Sequence, residues 1–227
     1  VINMEDMFED AQAFDQDLGW CVGDDVALGS AWGSFAWDGT KCAATWCGIL
    51  WGGCDIASTG NVMVNWKIRV AVKAWLADPT AAEATYGHIS GWDVSRVTDM
   101  EKLFREVTWS ESSYYNSGAS SFNDDISAWD TSGVTSMEEM FSGSFGIALA
   151  FNQDIGGWDV GLVTDMREMF GAATSFNQDL SDWSVQNLSY MEYMFSGAEA
   201  FNQDLGWCVG NDADLGEYAL DGVFSNT

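Results

Sequence analysis

The sequence predicts an α/β solenoid, a stack of short parallel strands and helical turns closed at one end by a small helical segment. Three observations predict it. A tryptophan- and methionine-rich unit returns every 25 residues, the apolar spacing changes within each unit, and the composition supplies a core but little catalytic chemistry. With 47% hydrophobic and 14% aromatic residues, a chain of 227 can bury a sizeable core. Thirty-five acids against eight bases, a formal charge of −27, repel nucleic-acid phosphate and an anionic membrane surface alike. No apolar run approaches the roughly 18 to 20 residues that cross a bilayer, and Val1 to Phe8 lack the basic start and apolar stretch of a signal peptide. Neither nucleic acid nor membrane insertion is expected.

The repeat comes first because it dictates the fold. Phe151-Asn-Gln-Asp-Ile, Phe176-Asn-Gln-Asp-Leu and Phe201-Asn-Gln-Asp-Leu stand 25 residues apart, with looser copies at Phe14 and Phe122. Each leads to a tryptophan (Trp92, Trp129, Trp158, Trp183, Trp207), then to a Val-Thr-Asp-Met-like element, then to a Met-Phe pair at Met140, Met169 and Met194, with Leu103-Phe104 as the variant. Trp158 and Val160 alternate at period two, as a half-buried strand requires, while Val163, Met166, Met169 and Phe170 recur at three and four, as a helical face requires. One such unit cannot bury its own apolar side, but stacked copies can, each tryptophan lying on the one before.

A longer period lies over the short one. Residues 1–40 align without a gap on residues 188–227, and 19 of the 40 positions are identical. The chain is expected to hold the C-terminal part of one module (1–40), a Cys/Gly-rich junction (41–61), a helical cap opening the next module (62–88) and a repeat solenoid of about five coils (89–227). It then reads as a window on a tandem array. In the cap, residues 65–77 read as a helix with Asn65 as N-cap. A second short helix follows, with Asp78 as cap, Pro79 at its first position and Gly87 at its end. Both helices are expected to cover the open side of the first coil.

The motif Phe-Asn-Gln-Asp-Ile-x-x-Trp-Asp-Val-x-x-Val-Thr-Asp-Met-x-x-Met-Phe, from Phe151 to Phe170, resembles the BspA-like surface-protein repeat, a Met- and Trp-rich relative of leucine-rich repeats. The lead-in from Trp66 through Tyr86-Gly-His-Ile-Ser-Gly-Trp92 is similar to what precedes such arrays in long algal and protist proteins. The resemblance covers roughly residues 1–35 and 62–222 and implies a leucine-rich-repeat-like solenoid, a cell-surface or secreted location, and roles in adhesion, protein binding or coat structure. It brings no catalytic residues. The Cys42–Cys54 stretch and the lengthened loops depart from it.

Five cysteines leave one over in an oxidising compartment. The expected pairs are Cys21 with Cys42 and Cys47 with Cys54, with the partner of Cys208 lying beyond the window; a zinc site on Cys42, Cys47 and Cys54 with His88 is the weaker reading, since the spacing lacks a Cys-x-x-Cys knuckle. Insertions fall between Met-Phe and Phe-Asn: 18 residues from Phe104 to Phe122, 10 from Phe141 to Phe151, and 6 in the two later coils. The longest carries Trp109, Tyr114 and Tyr115, suited either to a glycan or protein ligand or to folding back over the coil. Lys67, Arg69 and Lys73 sit on the first cap helix, while residues 106–227 hold one base against 20 acids. Self-association or tandem stacking, head to tail through that basic helix, is one reading and a solvated helix face the other.

Asp125, Asp154, Asp179 and Asp204 share one position, so stacking would bring carboxylates to about 5 Å. Calcium would bridge them, or each would accept hydrogen bonds from its own turn. Asn187-Leu188-Ser189 is a glycosylation sequon. His88 is the one histidine, no Gly-x-Ser-x-Gly or phosphate-binding loop is present, and an enzyme is not expected. The expected function is an extracellular structural or adhesive repeat protein whose stacked modules form a rod or filament with a loop-bearing edge. The alternative is a glycan- or protein-binding recognition module at the cell surface.

Overall fold

The computed structural model describes residues 21–22, 50–51, 59–106, 116, 118–143 and 147–207. Cys42, Cys47, Cys54, Cys208, Trp109, Tyr114 and Tyr115 lie outside the described residues, and Cys21 is described in backbone alone. Two units divide the chain, Val1–Ser58 and Thr59–Thr227. In the first, β1 (Cys21–Val22) pairs in parallel with β2 (Leu50–Trp51).

The second unit opens with β3 (Val62–Val64), which runs into α1 (Asn65–Ala77) and α2 (Pro79–Tyr86). Ile68, Ala71, Val72 and Trp75 recur at three and four and form the buried face of α1. Asn65 is the first helical residue and not the cap: extended Val64 flanks the helix, and no side chain caps it. The Asn65 amide is used elsewhere. Its Oδ1 accepts the Thr98 N–H at 2.8 Å, and its Nδ2 donates to Thr98 Oγ1 at 3.0 Å. Arg69 donates to the Glu101 carbonyl at 2.6 Å and to Asp99 at 2.9 Å. The backbone groups of Thr98 and Glu101 correspond to those that later coils give to the coil before, so α1 satisfies an edge that would otherwise be bare. At α2 the local rules hold. Asp78 accepts from Ala81 N–H at 3.1 Å, Pro79 occupies the first turn, and Gly87 ends the helix at φ 76°.

From Trp92 onward the chain pairs laterally. β4 (Asp93–Arg96) lies parallel to β3, and parallel bridges then join Asp99 to Ser136, Ser136 to Asp165 and Asp165 to Tyr190. Met100 donates to Ser136, Met137 to Asp165 and Met166 to Tyr190, at 3.0, 2.9 and 2.8 Å. Two residues on, Lys102 donates to Glu138, Glu139 to Arg167 and Glu168 to Glu192; two further on, Phe104 donates to Met140, Phe141 to Met169 and Phe170 to Met194.

Two expected placements are thereby corrected. The Val-x-x-Met-x-x-Met-Phe stretch is no helix. Alternate N–H groups go to the next coil, those between close tight turns such as Leu103 N–H to Met100 O, and Lys102, Glu139, Glu168 and Tyr193 sit at φ 58°, 52°, 50° and 56°. Two turns per coil send residues inward at spacings of three and four just as a helix would, which is why periodicity misled. Nor does the Trp-x-Val element form a strand beyond the first coil; after Trp129, Trp158 and Trp183 it bends into turns closed by Val134, Val163 and Leu188 N–H groups.

Rings fill the interior. Trp92, Trp129 and Trp158 stack at 6.2 and 6.4 Å, and Trp183 stacks on Trp207 at 6.2 Å. Phe104, Phe141, Phe170 and Phe195 form one column and Phe122, Phe151, Phe176 and Phe201 another, meeting pairwise at 4.2, 3.9, 4.1 and 4.1 Å. Each stacked pair contributes about 0.5–1.5 kcal/mol beyond the area it buries. The indoles also bond across coils, Trp129 to the Ile89 carbonyl, Trp158 to Ile126, Trp183 to Ile155 and Trp207 to Leu180. Thus the tryptophan is required both as a large ring and as a donor.

Candidate functional site

Parallel register places equivalent residues of successive coils in rows, so one outer face is built by the sequence between Thr98 and Arg105 and its repeats. Three rows run along it: Asp99, Ser136, Asp165, Tyr190; then Glu101, Glu138, Arg167, Glu192; then Lys102, Glu139, Glu168, Tyr193. Opposite charges meet within and between coils. Arg167 lies 2.6 Å from Asp165 and 3.1 Å from Glu138, while Lys102 contacts Glu101 and lies 3.7 and 3.5 Å from Glu138 and Glu139. Arg105 Nε approaches Glu139 Oε2 at 2.5 Å but off the direction of an N–H bond, so that contact is one of charge alone. Burial pushes the Glu138 carboxyl up against the pull of Lys102 and Arg167. These pairs are half-buried but keep contact with solvent, and each contributes on the order of 1 kcal/mol, so the rows set the character of the face more than its stability.

At the last described coil the rows turn aromatic. Tyr190 and Tyr193 are 46% and 43% exposed, and the Arg167 guanidinium lies 5.1 Å from the Tyr190 ring centre. Sequence reasoning missed both. Earlier coils carry Ser, Asp, Glu or Lys at these two rows, and that contrast is the available signal.

A second polar ladder comes from the Phe-Asn-Gln-Asp motif. Asn152, Asn177 and Asn202 each donate their backbone N–H to the Oδ1 of the Asn one coil earlier, at 2.8, 2.9 and 2.9 Å. Gln153, Gln178 and Gln203 donate their side-chain amides to the earlier Asn carbonyl. In sequence these residues stand out only as part of the repeat; identical amides at one position of successive copies are what a stacked ladder demands.

The aspartates of the same motif do not join them. Asp125, Asp154, Asp179 and Asp204 accept from the N–H two residues on (Ser127, Gly156, Ser181 and Gly206) at 2.9, 3.1, 2.9 and 3.2 Å. The hydrogen bonds are those of the reading in which each aspartate accepts from its own turn. Each carboxylate turns into its own coil, and among the described residues no group of three or more His, Cys, Asp or Glu side chains could hold a metal ion. The Ser127 hydroxyl and N–H hold Asp125 below the usual range, and the Ser181 N–H and hydroxyl do so for Asp179.

The basic helix is corrected in part. Lys67 is 1% exposed and donates to the Thr59 carbonyl at 2.8 Å, because its stem lies with Ile68 on the inner side of α1. Burial lowers its pKa. Arg69 is engaged with Asp99 and Glu101, and Lys73 is exposed. His88 accepts from the Ser90 N–H and sits edge-on to Trp75 at 5.1 Å. Asn187 is exposed, and its Nδ2 donates to the Gly161 carbonyl at 2.7 Å. Where the longest loop rejoins the coil, Asn116 donates to the Lys102 and Leu103 carbonyls, and a Cβ at Gly118 would meet the Leu76 carbonyl at 3.0 Å.

Among the described residues, no helix is long and apolar enough to cross a membrane. Residues 1–27 and 79–208 match a family described as "Mycoplasma protein of unknown function, DUF285". No curated protein and no solved structure matches the chain.

Proposed function

The chain belongs to the DUF285 family, and from that premise we propose that it is an extracellular structural or adhesive repeat protein, a leucine-rich-repeat-like solenoid of the BspA-like surface-protein kind. One observation carries this reading. Backbone bonds, indole bonds and amide bonds all recur at corresponding positions between successive coils, so cohesion runs along one axis and a further coil can be added without altering those already there. Such a body is a spacer with a long, patterned side. Its work is mechanical and interfacial: stiffness from the stacked rings, contacts from the outer rows and the lengthened loops. Electron microscopy of the native material tests it, with rods or fibres of regular axial repeat expected; compact particles with no axial repeat would refute it.

A second reading, a recognition module for a glycan or protein ligand, is favoured by Tyr190 and Tyr193, which leave their rings in solvent where the earlier coils carry polar groups. Saturable binding to cell-surface glycans or proteins that falls at least tenfold in a Tyr190→Ala, Tyr193→Ala double variant would favour it over the first; unchanged binding by that variant would end it.

A further inference from the structure

We propose that Asn187 carries an N-linked glycan, attached before its coil closes, whose first sugar lies over the exposed side chain of Leu162. The proposal rests on the extracellular reading above. Arg96, Gly133, Leu162 and Asn187 hold the same position in successive coils, each one residue before the Val or Leu that turns inward at 97, 134, 163 and 188. Leu162 is 55% exposed, the most exposed large apolar side chain among the described residues. Asn187 lies directly beside it, since its Nδ2 donates to the carbonyl of Gly161 at 2.7 Å.

The amide has two hydrogens and the coil uses one of them. Transfer from a polyprenyl-diphosphate-linked oligosaccharide forms the bond from Nδ2 to the sugar C1 and breaks the C1–O bond, whose electron pair leaves with the diphosphate. Nδ2 gives up one proton to the transferase base. The remaining N–H can keep the bond to Gly161, so the modification is compatible with the closed coil. Its installation is not. Leu188 is 1% exposed, and the Ser189 and Tyr190 N–H groups are bonded to the Thr164 carbonyl, so the Asn-Leu-Ser stretch cannot lift into an enzyme once the ladder has formed. Transfer therefore belongs to the unfolded or emerging chain. The apolar face of the first sugar then covers the Leu162 methyls, which would otherwise stand in water.

The test is expression of the full chain behind a secretory leader in cells that make N-glycans. Expected is a secreted product whose mass falls by one oligosaccharide on amidase treatment, with Asn187 converted to Asp, and no glycan in either Asn187→Gln or Ser189→Ala. Ser189→Ala leaves the Asn187 amide in place, so a folding defect in the first variant cannot imitate the result. Chain refolded from denaturant before meeting the transferase should stay unmodified while denatured chain is modified. A nuclear Overhauser contact between the sugar N-acetyl group and the Leu162 methyls is expected in the secreted product. Secreted chain with unmodified Asn187, modification of the refolded chain, or no such contact would each overturn the corresponding claim. Fractionation of the native source tests location separately, and an intracellular native chain would refute the extracellular reading while the secreted-chain assay still decides the site.

Discussion

Asn152 shows how much one amide does in this architecture. Its Oδ1 accepts both the Asn177 N–H and the Gln178 side chain, each at 2.9 Å, where both are partly buried. Asn152→Ala strands the Asn177 N–H and removes one of the two bonds of the Gln178 amide, which should cost about 1–3 kcal/mol in urea unfolding, whereas Asn152→Asp keeps the acceptor and should recover most of that. Equal losses from both would show that the ladder is not what the amide supplies. Glu138 makes the pH prediction. Burial raises its pKa in the fold, so its stabilising contribution is full below the ordinary glutamate value and is lost as pH rises through the raised one. Acidification from neutrality should therefore first raise the thermal midpoint, less so in Glu138→Gln. Asp125 and Asp179 act in the opposite sense, since their lowered values hold stability that disappears as pH falls through them. A midpoint that declines monotonically from pH 7 in both proteins would contradict this.

Each coil depends on backbone conformations its side chains do not favour. Gly143, Ala172 and Gly197 are equivalent positions, and Ala172 holds φ 55° where Gly197 holds 72°. Ala172→Gly should therefore stabilise by about 0.5–1 kcal/mol despite the added freedom of the unfolded chain, read as an upward shift in the urea midpoint; a downward shift would mean the methyl's packing outweighs the strain. The α1 element makes the complementary point. Its helical range follows from apolar spacing, but the value of Asn65 and Arg69 lies in what they reach, the Thr98 N–H and the Glu101 carbonyl. Composition identified the amide and the cation, and gave no hint that they finish a sheet edge.

In the stack as a whole, bonds and ring contacts join each coil chiefly to its neighbours, so stability should approximate a sum of coil and interface contributions. Removal of residues 152–176 joins Phe151 to Asn177 and restores the Phe-Asn-Gln-Asp motif, bringing Trp183 onto Trp129 and the Asn177 N–H onto Asn123. The shortened chain should keep the circular-dichroism shape of the parent and unfold at a lower temperature. Loss of all ordered signal would show cohesion of another kind.

Reading the chain alone was enough to find the 25-residue unit, the buried tryptophans, the helix over 65–77 and the polar cap at Asp78, because each rests on local preference or on apolar side chains that must leave water. Spacing could not distinguish a helix from two tight turns, since both send residues inward every third or fourth position. The choice falls to the coil-to-coil bonds of Met100, Lys102 and Phe104, which exist only once a neighbouring strand of chain stands about 4.8 Å away to accept them. The same holds for Lys67, whose charge suggested a surface and whose side chain is buried with its ammonium on the Thr59 carbonyl, and for the four aspartates, whose alignment in sequence said nothing about the direction in which each carboxylate turns.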